Sequence, residues 1–455
     1  MRAKFQTPSI LTRLHARYYE RVVRAVVVMC VVVGVARSSA SSEIRQGNSA
    51  TPLNQNGEVA TRPRCSTAVG SASENKSDVE TLLSEVDPSS SQAARAVPVL
   101  LAALRDSETD GTLRERSAAM LARIGEPARA AVPVLIEILN RSPETISSES
   151  VGAVSVGAGA TGASNLVTTS YWSMKCLGVF GSVAADAVPA VTRVLTSPAS
   201  SSKLRVLAAD TLGQIGDSAA IGVLTAELMK PRRFSDYDSI VLRQTIIDSL
   251  ALAGPLAVGA IPALGRAAED DNADVRRKAC YALGSLGPRA EGAMNALLER
   301  LILDEDAAVK DAAANALAQV GEPAVDRLVD LLNRGGPDLQ WRAAQALGQV
   351  GASAKPAVES LKLAFGSPSA DVRIEAIDAV WKISRDSHAV ATVLVEALAE
   401  DDRQIRRRAA GLLVELKQLP RETSLKLEQL AADGNSNESR AAAHVLRERS
   451  RKADQ

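Results

Sequence analysis

From about residue 113 to residue 417, apolar positions return in one pattern and polar residues fill the intervals. Asp274–Gly287, read D-V-R-R-K-A-C-Y-A-L-G-S-L-G, is one copy. Taking Gly287 as reference, the equivalent positions are Gly125, Gly181, Gly216, Gly254, Gly287, Gly321, Gly351, Ser384 and Lys417, separated by 56, 35, 38, 33, 34, 30, 33 and 33 residues. Twelve residues before the reference stand Leu113, Leu204, Leu242, Val275, Val309, Leu339, Val372 and Ile405. Four before it stand Leu121, Leu177, Leu212, Leu250, Leu283, Leu317, Leu347, Val380 and Leu413. The residue just before it is nearly always apolar, as in Ile124, Phe180, Ile215 and Leu286. Such offsets keep one face of a 3.6-residue helix.

Asp274, Asp338 and Asp371 precede three of these helices and are expected to cap them. The reference glycine is a stop that takes a positive φ without strain. A second helix should follow each stop, as in Val132–Leu139, Ile261–Ala268, Ala296–Leu303, Val325–Leu332 and Ala391–Leu398. Pro133, Pro189 and Pro262 fit its first turn, while Pro127, Pro255, Pro288 and Pro323 mark the turn before it. Ala94–Leu104 reads as the second helix of an earlier, incomplete repeat, and Ser439–Arg449 as a polar closing helix. A fixed period of this length builds an array that grows in one dimension.

The strings A-L-G-S-L-G, A-L-A-Q-V-G, A-L-G-Q-V-G and T-L-G-Q-I-G, each preceded by V-R, V-K or L-R, resemble HEAT repeats. They are most similar to the short HEAT-like repeats typified by phycobilisome bilin lyase subunits. The resemblance covers roughly residues 90–449, with Ser384 and Lys417 departing from it at the glycine position. Together with the periodicity it predicts an all-α fold, a right-handed α-solenoid of about nine to ten helix–turn–helix repeats over residues 78–449, followed by a polar tail at 450–455. For function the resemblance implies a protein-binding scaffold. A bilin-lyase-like protein that handles a tetrapyrrole is the alternative, and an export signal speaks against that cytoplasmic chemistry.

Composition changes this picture at the N-terminus. Arg2, Lys4, Arg13, Arg17, Arg21 and Arg24 face one acid, Glu20, and Ala25–Ala36 is an apolar run of 12 residues. As a helix that run spans about 18 Å, short of the roughly 30 Å hydrocarbon core. With the small-x-small triplet Gly34-Val35-Ala36, residues 1–36 read as a signal peptide, or as a membrane anchor over residues 22–36. Residues 37–77, rich in Ser, Asn, Gly and Thr, read as a disordered linker. The array is therefore expected outside the cytoplasm, periplasmic or extracellular. The four cysteines are widely scattered, so Cys176 and Cys280 read as small buried hydrophobes. A net charge of zero from 53 basic and 53 acidic residues argues against a nucleic-acid partner. A monomer with an unidentified protein partner is expected.

Candidate chemistry lies in the departures from the repeat. Arg114, Arg205, Arg243, Arg276, Lys310, Arg373 and Arg406 form a basic ladder eleven residues before each stop, read as a structural tie between segments. Insertions at 141–164 and 231–239 fall at equivalent junctions and should project from one rim. The shorter holds Arg232, Arg233, Phe234 and Tyr237, a composition favoured at hot spots in a chain with 3% aromatics. Tyr171, Trp172 and Trp341 stand nine or ten residues before their stops, where polar residues are usual. These seven residues are the candidate protein-binding positions. Gly157–Gly162 matches G-x-G-x-x-G but lacks the strand and acidic partner of a dinucleotide site. With three scattered histidines and no nucleophile or phosphate motif, no catalytic, cofactor or metal residue is assigned, and no enzyme is expected.

Overall fold

Leucines four positions before each stop give the array its centre. Leu121, Leu177, Leu212, Leu250, Leu283, Leu317, Leu347, Val380 and Leu413 are all fully buried. Full burial of one such side chain is worth about 1.5–3 kcal/mol, and the layers between them are filled mostly by alanine. A computed structural model describes residues 72–453, apart from 89, 91–92, 106–110, 142–161, 232–236, 417 and 435. The leader, most of the linker, the G-x-G-x-x-G stretch through residue 161, and Arg232, Arg233 and Phe234 lie outside the described residues.

Among the described residues there are helices and no strands. Helices α1 (Ala72–Glu85) and α2 (Val97–Arg105) form the opening pair. First helices of the following repeats are α3 (Gly111–Ile124), α5 (Gly162–Phe180), α7 (Ser202–Ile215), α9 (Tyr237–Ala253) and α11 (Ala273–Ser285). They continue as α13 (Ala307–Val320), α15 (Pro337–Val350), α17 (Ala370–Ser384) and α19 (Arg403–Glu415). Each is paired with a second helix: α4 (Val132–Arg141), α6 (Val188–Thr196), α8 (Ser218–Leu228), α10 (Ile261–Ala267), α12 (Met294–Leu303), α14 (Val325–Arg334), α16 (Val358–Leu363), α18 (Ser387–Glu396) and α20 (Arg421–Ala432). The single helix α21 (Asn437–Ala453) closes the array. First helix packs on first helix along the whole series, which makes an α-solenoid.

The stops behave as the sequence predicts: Gly125, Gly181, Gly216, Gly254, Gly287, Gly321 and Gly351 all have φ between 53° and 82°. At all but Gly216 a 3₁₀ turn then leads into the second helix, as in Gly254–Ala260 and Gly287–Ala293, while after Gly216 the side chain of Asp217 caps α8 directly. The eighth stop differs. Ser384 is still helical, and Arg385 takes the left-handed conformation at φ 57°, its amide donating to the Trp381 carbonyl. One extra residue in α17 thus displaces the stop, and the guanidinium of Arg385 lies 5.3 Å over the Trp381 ring. Lys417 is outside the described residues.

The expected caps are corrected by two residues. Asn272 accepts from the amides of Asp274 and Val275, and Asp306 and Asp402 do the same for α13 and α19. Asp274, Asp338 and Asp371 instead lie in first turns, where a carboxylate complements the helix dipole. Helix boundaries also trim the two insertions. Arg141 ends α4 and α5 begins at Gly162, inside the stretch assigned to 141–164. Tyr237 opens α9, inside 231–239. Helix α1 likewise begins six residues before the boundary drawn at residue 78.

Thr169–Thr196 and Tyr237–Ala267 are long and apolar enough to cross a membrane by composition. Each is broken at its glycine, Gly181 or Gly254, into the two helices of one repeat and packs into the solenoid core.

Candidate functional site

The basic ladder is built into the repeat junctions. Arg276 donates from Nε and Nη2 to both oxygens of Asp304, at 2.7 and 2.8 Å. Its Nη1 donates to the carbonyls of Asp270 and Asp271 ahead of its own helix, at 2.9 and 3.1 Å. Asp304, with a side chain 1% exposed, also accepts from the amide of Asp306 at 3.0 Å. One rung therefore ties a first helix to the end of its own repeat and orders the next loop. Burial pushes the Asp304 carboxyl upward, but the Arg276 hydrogen bonds, the Asp306 amide and the charges of Arg276 and Arg300 outweigh it and hold it below its ordinary value.

Other rungs follow the same plan. Arg243 meets Asp270 at 2.9 Å, and Arg205 meets Glu227 at 3.4 Å and the Leu195 carbonyl at 3.0 Å. Arg373 reaches Glu400 and the carbonyls of Ser367 and Pro368, while Arg406 takes the carbonyls of Glu400 and Asp401. Arg114 is buried and donates to Thr169 Oγ1 at 3.4 Å. The plan is not kept everywhere: Ser170 stands at the basic position in α5, Arg406 finds carbonyls without an acid, and two successive rungs fail in the middle of the array. Helix α14 runs into Gly335-Gly336 with no acid, so Lys310 reaches forward to Asp338 at 3.7 Å. The next rung is Gln340, bonded to the Leu332 carbonyl at 3.0 Å.

Beside Gln340 the surface opens. Helices α17 and α19 touch less than any other consecutive first helices from α3 onward. An open cleft of about 440 Å³ runs across the first turns of α15, α17 and α19. Pro337, Asp338 and Trp341 line one wall, Ser369 and Asp371 the middle, and Gln404, Ile405 and Arg408 the far wall. Asp338, Asp371 and Gln404 occupy one repeat position, 33 residues apart.

The charges around the cleft are mostly committed. Arg342 lies 5.2 Å over the Trp341 ring and is held by Asp338 at 3.0 Å and Asp311 at 3.2 Å, with a side chain only 7% exposed. Arg408 donates to Glu375 at 2.6 Å, and the Glu375 side chain is buried. Asp371 is exposed, and its side chain makes no hydrogen bond or ion pair among the described residues. Neither does the indole N–H of Trp341.

Of the four predicted positions among the described residues, Tyr171, Trp172, Tyr237 and Trp341, only Trp341 lines this cleft. Tyr171 and Trp172 sit together on α5 in an edge-to-face contact at 5.4 Å, with Trp172 packed against the core and Tyr171 38% exposed. They stand five repeats before Trp341 and do not share its site. Tyr237, 78% exposed, projects from the first turn of α9. Asp371, Gln404 and Arg408 were missed by the pattern reading, although the shared row of Asp338, Asp371 and Gln404 was visible beside an out-of-place tryptophan. Cys176 and Cys280 are fully buried, and burial pushes both thiols up to about 12. Among the described residues no group of three His, Cys, Asp or Glu side chains could hold a metal ion.

Fold and junctions define a helical-repeat protein of the α-solenoid class. The profile of HEAT repeats matches residues 233–318 and again 294–364, so this part of the chain consists of HEAT repeats. No curated protein matches the chain. Among solved structures, the complex of CpcE and CpcF of phycocyanin lyase from Nostoc sp. is similar at 26% identity, over 33% of this chain and 96% of that one, with a TM-score of 0.27. Importin beta is similar at 13% identity, over 84% of this chain and 60% of that chain, with a TM-score of 0.45. Kap121p bound to Nup53p is similar at 13% identity and a TM-score of 0.44, and the chain, matched over 82% of its own length, spans 47% of it.

Proposed function

We propose that this chain is a non-enzymatic scaffold that binds another protein through the Trp341 cleft, and that it works outside the cytoplasm, exported or tethered by its N-terminus. The cleft carries the proposal. It is the place where the first-helix layer parts, three repeats contribute to it, and it combines a half-exposed tryptophan with polar groups of both signs. Tryptophan and arginine, both present in the lining, are favoured anchors at protein interfaces. The basic leader and the short apolar run support export.

Crosslinking and capture from the native cell envelope, with the full chain as bait, tests both parts. Gln404→Trp should fill the cleft and Trp341→Ala should remove its anchor. Each is expected to abolish recovery of a reproducible partner; the melting curve of Gln404→Trp should stay close to that of the parent, while Trp341→Ala, which also unstacks Arg342, should melt lower. Unchanged capture by both variants would remove the cleft from the proposal. Recovery of the full chain in the cytoplasmic fraction, with its leader intact, would remove export.

A further inference from the structure

We infer that Met229 is an oxidation site, and that Arg266 receives the oxygen of its sulfoxide and so latches α8 to α10 at the root of the 231–239 insertion. Met229 directly follows α8 and is 37% exposed, whereas Met120 is 6% exposed, Met174 is fully buried and Met294 packs against the core. Oxidation of a thioether follows access, so Met229 is the first of these four that a peroxide meets. Its sulfur already faces a donor. Nη1 of Arg266, an exposed residue of α10, lies 3.8 Å from Met229 Sδ. That sulfur is the one acceptor of Arg266 among the described residues, and no carboxylate among them meets it. Lys230, next to Met229, is taken by Glu227. A thioether is a weak acceptor, so the guanidinium has hydrogen-bonding capacity to spare.

The array itself shows what an oxygen in that place does. Arg193 and Arg266 both stand twelve residues after their stops, Gly181 and Gly254. Asn140 and Met229 correspond as well, since Leu135 and Leu139 precede the first at the spacing with which Leu224 and Leu228 precede the second. Arg193 Nη2 donates to Asn140 Oδ1 and ties α6 back to α4. Arg266 reaches back from α10 to the end of α8 in the same way, but finds sulfur. Oxidation supplies the oxygen. The sulfur lone pair attacks one oxygen of hydrogen peroxide, the S–O bond forms as the O–O bond breaks, and the departing hydroxide takes the remaining proton and leaves as water. Sulfur loses two electrons and the peroxide gains them. The polar sulfoxide oxygen then stands one bond beyond a sulfur that Arg266 already reaches, and repeats the Asn140–Arg193 bond two repeats later. Met229 and Lys230 donate their amides to the carbonyls of Thr225 and Glu227, so the last turn of α8 cannot fray without breaking the latch.

The test treats the full chain with hydrogen peroxide and follows each methionine by peptide mass spectrometry. Met229 should convert while Met120 and Met174 stay reduced, and ahead of Met294. Hydrogen exchange then reads the latch, each protein being compared with its own untreated form. In the oxidised parent the protection of residues 226–230 should rise about threefold, the scale of an exposed charge-assisted bond. Met229→Asn, which copies the Asn140 acceptor, should show the same rise over the parent without peroxide. Arg266→Ala should still oxidise at Met229 but gain no protection there, and Met229→Leu should not respond to peroxide. Oxidation of Met229 no faster than that of the buried methionines overturns the site. Unchanged protection in the oxidised parent or in Met229→Asn, or a rise that persists in Arg266→Ala or Met229→Leu, overturns the latch. None of these readouts depends on the Trp341 cleft.

Discussion

Asp304 sits almost fully buried with arginines on two sides and an amide on a third. Removing one partner of such a pair leaves the other charge buried and costs more than the pair itself contributes. Asp304→Asn should therefore lower stability at pH 7 by about 3 kcal/mol, measured by urea unfolding. Its acid dependence has a defined sign. The carboxyl is held below its ordinary value, so its contribution is present above that value and drains away as pH falls through the folded one. Between pH 5 and acid conditions, about where carboxylates titrate, the parent should lose stability faster than Asp304→Asn. A parallel pH dependence in both proteins would contradict the role given to the rung. The glycines make a second comparison. A Cβ on Gly284 would lie 3.1 Å from the Ala316 Cα of the next first helix, whereas one on Gly222, exposed in α8, meets nothing within 4 Å. Gly284→Ala should cost about 1–3 kcal/mol, and Gly222→Ala should gain about 0.5–1 kcal/mol. Arg276 was legible in the sequence because a basic residue stands at its position in most repeats, Ser170 and Gln340 being the exceptions. Its partner was not, because the junction acid wanders between aspartate, glutamate and nothing.

At the scale of a helix, the apolar period located every first helix from α3 to α19, since −12, −4 and −1 all point inward. Ends were read less well. Asp274 is in the first turn and Asn272 is the cap, because a cap must reach the second or third amide beyond itself. Asn272→Ala should cost about 1 kcal/mol in thermal unfolding. Asp274→Ala, which removes an exposed pair with Arg277 at 2.6 Å, should stay within about 0.5 kcal/mol. The reverse order would restore the cap that the sequence suggested. Arg385 shows another limit of pattern reading. A left-handed stop without glycine has no signature, and here the ring of Trp381 supports the residue that takes it. The insertions were read from the long gaps between stops, and a gap does not show that Tyr237 belongs to a helix.

Across the array, the narrow contact between α17 and α19 divides the closing repeats from the rest. Neighbour contacts carry nearly all the stability of a solenoid, so a weak interface is a point of independent opening. Hydrogen exchange should find the amides of 403–453 opening together, ahead of those in 273–350. A single protection level across both would show that the array is one cooperative unit. The architecture was legible because a repeat writes its fold many times over. The cleft was not, because it arises from the spacing between helices, which neither the out-of-register Trp341 nor the row of Asp338, Asp371 and Gln404 reveals.

The rung has a consequence for how such a chain can change length. Arg276 and Asp304 lie within the same repeat, and the loop that Asp304 organises belongs to the next. A copy excised or duplicated from one junction acid to the next carries its own lock and meets an equivalent loop on either side. Residues 271–304 could be removed and Asp270 would inherit the loop that begins at Glu305. Across Gly335-Gly336, where no acid stands, the same surgery would leave loops without a junction carboxylate to order them. Growth and loss by whole repeats are thus written into the hydrogen bonds, and the stretch next to the cleft is where they are forbidden.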